Sequence, residues 1–379
     1  MSTSRLLDSF ASGEISPEAI QAGLSLGKPE DVAVLKAAAN RMLVQNCGPE
    51  VYYRGLIEIS NRCTKDCAYC GIRRSNRALP RFSMDKSEIV DRALAAARAG
   101  LGSVALQAGE RNDAKFVDFV AEVVAEIGRA TRSEKLPAGV GITLSLGEAE
   151  KSAYETWMAA SANPQHMRYL LRFETSDEML FEKLHAGAGP RKTLSGRFAA
   201  LEALKEAGYQ VGTGVMIGIP GQSLSSLARD ILVFGEVGAD MIGMGPYLAS
   251  SGSAMPVPSP LPRARLLQLS LNMIAVTRLA YPSLNIAAAT ALQVLEDDAR
   301  LEALSYGANV IMPNLTPSAR RRAYTLYDGK GGLDDDFQAK LAQLNEGVHA
   351  LGRRVAFDAY GASRHYLART RGAKAPGAL

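Results

Sequence analysis

Cysteine is scarce in this chain, and what there is lies bunched. Four of the 379 residues are cysteine, and three of them, Cys63, Cys67 and Cys70, share one short segment. So few cysteines in so long a chain exclude a disulfide-stapled framework. Histidine is as sparse, four in all and none beside the array, so a structural zinc site, which wants four Cys or His ligands, is left short. No apolar run approaches the ~20 residues of a membrane span. The opening Met1-Ser2-Thr3-Ser4-Arg5 lacks the apolar stretch of a signal peptide. An excess of one charge is missing too: 43 Lys and Arg against 39 Asp and Glu leave +4, which predicts no nucleic-acid partner. These absences point to a cytoplasmic protein with neither membrane nor nucleic acid among its partners. Apolar residues, by contrast, make up 47% of the chain, enough for the core of an α/β barrel of ~250 residues with additions.

Hydrophobic periodicity orders the chain. Residues 4–46 read as helical: Ser16-Pro17-Glu18 is an N-cap with Pro at the first turn, and Val32, Leu35, Ala39, Met42 and Leu43 recur at helical spacing. Strands are then expected at 54–60, 103–107, 140–146, 167–173, 210–217, 241–244, 285–289 and 309–312. Between them the spacing predicts helices at 87–99, 115–130, 148–162, 178–184, 195–207, 224–237, 263–279 and 295–305. Strands joined in this way pair in parallel through right-handed crossovers, which implies a (β/α)8 (TIM) barrel. An open doubly wound sheet is the alternative, but no glycine-rich nucleotide fingerprint follows the first strand. The expected organisation is an N-terminal helical cap (1–50), the barrel (51–314) and a C-terminal segment (315–379) that closes or flanks the base. The tail from Arg371 is expected to be mobile.

In such a barrel, chemistry sits at the C-terminal ends of the strands, and polar residues gather there. Strand one leads into the array Cys63-x3-Cys67-x2-Cys70. Three thiolates can hold three irons of a four-iron cluster and leave the fourth open for a ligand. A structural zinc site and a thioredoxin-like pair at Cys67 and Cys70 are the alternatives, the second leaving Cys63 unexplained. Cys47, at a helix end, reads as a buried spectator. Strand two delivers Gln107-Ala108-Gly109-Glu110, strand three Thr143 and Ser145, strand four Arg172 and Glu174, and strand seven Thr290. Arg172 and Glu174 alternate onto one face of their strand, where buried charges need a polar ligand or each other. Gly218 and Gly221 are either turn glycines or places where a flat ring meets the backbone. Met216 and Met244 read as packing.

The array, with Tyr69 before its last cysteine and its place after a first barrel strand, resembles the radical SAM superfamily. Gln107-Ala108-Gly109-Glu110 looks like that superfamily's second motif. A longer likeness, from about Tyr53 to about Tyr327, is to the HydE family of [FeFe]-hydrogenase maturases, in the group that includes biotin synthase and methylornithine synthase. It is carried by residues 54–61, 70–74, 106–110, 143–148, 168–175 and 218–222, and by the long run Gly307-Ala308-Asn309-Val310-Ile311-Met312-Pro313-Asn314.

The resemblance implies a [4Fe-4S] cluster on Cys63, Cys67 and Cys70 and reductive cleavage of S-adenosylmethionine (SAM) at its open iron. The resulting 5′-deoxyadenosyl radical would be used on a small anionic substrate. Tyr69, Gln107, Gly109, Glu110, Ser145, Glu174 and Arg197 look like the SAM site, with Arg197 facing the methionyl carboxylate. Thr143, Arg172, Thr290 and Tyr324 look like the floor of a substrate cavity. The implied substrate is a cysteine-bound iron carbonyl-cyanide species used in building the di-iron cofactor. The implied partners are an electron donor such as a ferredoxin or flavodoxin and other hydrogenase maturases. The chain departs from the family at Ala289, where paired threonines are common, and at Ala108 and Arg111, where Ser and Asp are usual. It also has no cysteine after Cys70 for the auxiliary cluster of some relatives. Two other readings stay open: a mutase acting on a small amino acid, like methylornithine synthase, and a non-catalytic cluster carrier.

Overall fold

The structure, a computed structural model, describes residues 2–187, 192–333 and 336–371. Three helices come first, α1 (Thr3–Ala11), α2 (Pro17–Ser25) and α3 (Pro29–Cys47). Ser16 caps α2 by accepting from the Ala19 amide, with Pro17 in the first turn. α2 and α3 lie against helix Arg263–Ala280, whose other side meets the barrel, and that helix is buried along nearly its whole length.

Among the described residues there are ten strands: β1 (Glu50–Ser60), β2 (Ser103–Ala108), β3 (Gly141–Ser145), β4 (Met167–Leu170), β5 (Gln210–Thr213), β6 (Met216–Ile217), β7 (Met241–Pro246), β8 (Asn285–Ala288), β9 (Val310–Ile311) and β10 (Arg354–Val355). They pair in parallel in the order β1-β2-β3-β4-β5-β7-β8-β9, and β9 pairs back onto β1. The alternation in the sequence therefore does fold into a closed (β/α)8 barrel. β6 extends β5 along β7, and β10 adds to the start of β1.

Three elements depart from their expected form. The strand expected at 210–217 is broken in two, because the backbone at Gly214 passes so close to Gly243 that a Cβ would lie 2.0 Å from its carbonyl oxygen. The strand expected at 167–173 ends at Leu170, and beyond it the chain turns, with Glu174 at φ 68°. The helix expected at 295–305 is two, Leu292–Leu295 and Ala299–Ser305, separated by an extended Glu296. β10 and the helices Phe337–Ala350 and Arg364–Thr370 had no counterpart in the sequence reading.

The C-terminal segment reaches under the barrel. The Tyr360 carbonyl accepts from Ser103 Oγ at 2.9 Å and from Arg168, and the Gly361 carbonyl from Asn285 at 2.9 Å and Arg54 at 3.3 Å. The Ser363 amide donates to Gln210 Oε1 at 3.1 Å. Most of these partners stand at strand starts, so the base is closed. The tail expected to be mobile lies, beyond Arg371, outside the described residues. Inside the barrel, β2, β3, β7 and β8 turn the small residues Ala105, Thr143, Ser145, Gly243 and Ala287 towards the axis beside Gln107 and Met241, and Ala289 follows β8. Bulky branched residues normally fill such an interior. Here the small ones leave a chamber.

Candidate active site

The cysteine loop leaves the C-terminal end of β1 as a folded unit. Asn61 donates to the carbonyls of Pro80 and Ala323 at 2.8 and 2.6 Å. Arg81 donates to those of Asn61 and Ile72 at 2.6 and 2.7 Å, and Asp66 pairs with Arg73 at 2.7 Å. Gly109, at the exit of β2, lies against this loop: a Cβ there would sit 2.4 Å from the Arg62 carbonyl oxygen and 2.8 Å from Cys63 Cβ. Its lack of a side chain serves this contact.

All three cysteines line one cavity of about 250 Å³ at the barrel mouth. Its walls also carry Tyr69, Gln107, Gly109, Glu110, Ser145, Arg172, Glu174, Arg197 and Tyr324. Burial raises the pKa of each of the three thiols, Cys67 to about 11, so metal binding here must displace thiol protons. Among the described residues no three His, Cys, Asp or Glu side chains converge as a single ion requires. A cubane cluster asks for something different, one thiolate at each of several separated irons. Cys47 is far from the array, below β8, with its sulfur 3.4 Å from the Pro282 carbonyl and 3.6 Å from Arg278. It supplies no fourth thiolate.

The acidic groups are incompletely satisfied. Glu110 Oε2 accepts from the Glu148 amide at 3.0 Å and pairs with the buried Lys192. Its Oε1 has no hydrogen-bond partner, although Lys65 Nζ lies 3.4 Å away. Glu174 Oε2 is 2.9 Å from Arg172 Nη2, yet the pair lacks hydrogen-bond alignment and the oxygen is left without a partner. Buried acceptors without donors are costly in a folded protein, and two of them facing one cavity suit a ligand bearing an ammonium or hydroxyls. Arg172 and Glu174 do meet, but not by strand alternation, since β4 has ended and the turn at Glu174 brings them together. Arg197, which the sequence alone would leave in solvent, is 4% exposed, pairs with Glu148 and donates to the Arg172 carbonyl.

Below this cavity lies a second chamber of about 170 Å³, which shares Gln107, Ser145, Arg172, Ala289 and Tyr327 with the first. Thr143 stands in it with a buried hydroxyl that has no partner. Thr290 lines it at the side, where an outer pocket shares the same residue. Tyr324, expected on the floor, is instead in the wall of the upper cavity.

The sequence reading missed most of the lower chamber. Arg54 and Glu58 line it from β1, and Lys330 comes in from the C-terminal segment to pair with Glu58. Burial, and then the like charge of Arg168, lowers the Arg54 pKa. Arg54, Leu56 and Glu58 all face inward at period two, which was a usable signal. Lys330 offered none, because only tertiary folding brings it to β1. Gly218 and Gly221 are outside both walls and form a turn stapled by Gln222, whose Oε1 accepts from the Gly218 amide at 2.7 Å. Met244 is core, whereas Met216 borders the upper cavity.

A parallel barrel with three thiols beside carboxylate oxygens that lack hydrogen bonds at its mouth has the architecture of a radical SAM enzyme, and residues 57–232 match the family model of the radical SAM superfamily. The chain is 36% identical to the [FeFe] hydrogenase maturase subunit HydE of Thermotoga maritima over 96% of its own length and 99% of that protein. It is 26% identical to 3-methylornithine synthase of Methanosarcina barkeri over 80% of its length and 81% of that protein. A crystal structure of methylornithine synthase shares the fold, with a TM-score of 0.77 at 23% identity, over 93% of this chain and 98% of the other. The chain belongs to the HydE family of the radical SAM superfamily. Radical SAM enzymes carry a [4Fe-4S] cluster and SAM, and the donor set here fits both: three soft thiols for iron, and Glu110 and Glu174 oxygens that accept no hydrogen bond for the polar groups of SAM.

Proposed function

We propose that the protein is a HydE-like radical SAM enzyme that works on a small anionic substrate in assembly of the [FeFe]-hydrogenase di-iron cofactor. One observation carries the reading: the cysteine cavity borders a second chamber inside the barrel, and Arg172 lines both. Cys63, Cys67 and Cys70 hold the cluster. Tyr69, Gln107, Gly109, Glu110, Ser145, Glu174 and Arg197 bind SAM. Bound together, cluster and SAM supply a 5′-deoxyadenosyl radical by one-electron reduction. Thr143, Arg172 and Thr290 receive the substrate, and Tyr324 covers it from above. A guanidinium and hydroxyls suit an anion such as a cysteine-bound iron carbonyl-cyanide species. The electron donor is a ferredoxin or flavodoxin, the product passes to other maturases, and the setting is the cytoplasm. The division into cap (1–50), barrel (51–314) and closing segment (315–379) belongs to the same proposal.

The test is anaerobic reconstitution with iron and sulfide, followed by EPR of the reduced protein with and without SAM and assay of 5′-deoxyadenosine. A four-iron signal that shifts with SAM, together with 5′-deoxyadenosine, is expected. Zinc in place of iron, or a cluster blind to SAM, overturns the reading.

A further inference from the structure

Glu174 sits in a costly backbone conformation. Its φ of 68° is one of two positive values for non-glycine residues among those described. The Thr175 amide donates to the Phe173 carbonyl at 2.8 Å, so Glu174 is the centre of a three-residue turn of the strained, left-handed kind. Such a conformation persists only where its surroundings over-determine it. On one side Glu174 is pinned to the barrel: its amide donates to Gly214 at 3.0 Å and its carbonyl accepts from Met216 at 3.0 Å. On the other side the pin is Ser176, whose amide and hydroxyl both donate to Asp230 Oδ1 at 2.6 Å.

Asp230 belongs to helix Leu224–Glu236, outside the barrel, and is fully buried. Among the described residues its carboxylate forms no ion pair, and its Oδ2 has no hydrogen-bond partner. A buried carboxylate without a cation is expensive. What it does here is hold the residue two places after Glu174.

We propose that Asp230 is a positioning residue, which through Ser176 locks the 173–177 turn and so keeps the Glu174 carboxylate facing the upper cavity for SAM. This rests on the assignment of Glu174 to SAM binding, and the experiment separates the two. SAM affinity is measured on the reconstituted holoenzyme from the SAM-induced shift of the reduced-cluster EPR signal, alongside the signal without SAM and the thermal melt. Asp230→Ala is expected to weaken SAM binding about tenfold, the scale of a lost buried hydrogen bond, with the SAM-free signal unchanged. Asp230→Asn, which keeps an acceptor for both donors, is expected to stay within about threefold of the parent. Because Asp230 acts through Glu174, Asp230→Ala added to Glu174→Gln should weaken binding no further than Glu174→Gln alone. A purely structural residue would give an additive loss, and that result overturns the proposal. Unchanged affinity in Asp230→Ala overturns it as well, with Glu174 left standing. Unchanged affinity in Glu174→Gln removes the assignment itself. Should Asp230→Ala not fold, Ser176→Ala takes its place: it keeps the amide contact, and a smaller loss, again absent in the Glu174→Gln background, is expected.

Discussion

Arg172 Nη2 lies 2.9 Å from Glu174 Oε2 where the upper cavity passes into the lower chamber. Glu174 lines only the upper cavity, while Arg172 lines both and also donates to the Val215 carbonyl at 2.7 Å. The pair therefore joins the SAM side of the site to the substrate side. Replacing Arg172 with alanine should leave reductive cleavage of SAM within about threefold of the parent and lower turnover of an anionic substrate by about tenfold to a hundredfold, the scale of a charge-assisted contact. Parallel assays of 5′-deoxyadenosine and substrate loss check this. Collapse of the fold in the variant would show that the ion pair serves the barrel mouth.

The four cysteines should separate cleanly. Cys67→Ser should abolish the four-iron signal and SAM cleavage together. Cys47→Ala should keep both, because Cys47 lies below the barrel, in contact with Arg278 and Pro282. Iron content and EPR of the two variants decide it, and loss of iron in Cys47→Ala would refute the placement.

Glu58 is 1% exposed, and Lys330 is the cation beside it. Lys330→Met strands a buried carboxylate and should cost about 3–5 kcal/mol of stability. The double change Glu58→Gln with Lys330→Met should recover much of that loss. Urea unfolding of the three proteins measures it.

Burial raises the Asp230 carboxyl from its ordinary 3.8 to about 7, against the opposing hydrogen bonds from Ser176. The folded state thus holds the proton more tightly than the unfolded chain does. The stability this contributes is complete below the unfolded value and is lost as pH rises through about 7. Asp230→Asn lacks this titration, so its melting temperature relative to the parent should climb between pH 4 and 7 and then level off. A difference that is flat across that range would show an unshifted Asp230.

Much of this was legible in the sequence. The alternation of short β-rich runs with amphipathic helices anticipated every barrel strand, because period two and period 3.6 are imposed locally by backbone geometry. The cysteine spacing and the polar strand ends likewise named Cys63, Cys67, Cys70, Gln107, Glu110, Ser145, Arg172 and Glu174 in the upper cavity, whereas Tyr69, Arg197 and Tyr324 came from the family resemblance. The left-handed turn at Glu174 was not legible, since β-type periodicity runs on through Phe173 and the turn is imposed by Gly214, Met216 and, via Ser176, Asp230. Nor was the break at Gly214, which depends on a close approach to Gly243.

What the sequence by itself determined is the barrel, the cysteine array and the residues at the strand ends, all set by local pattern and spacing. Tertiary structure alone decided that Lys330 reaches Glu58 and that Tyr324 stands in the upper wall rather than on the floor. It also decided that Tyr360 and Gly361 close the base. Each of these contacts joins residues far apart in the chain. Their meeting follows from how barrel, loop and C-terminal segment satisfy one another's buried charges and carbonyls, which no local pattern encodes.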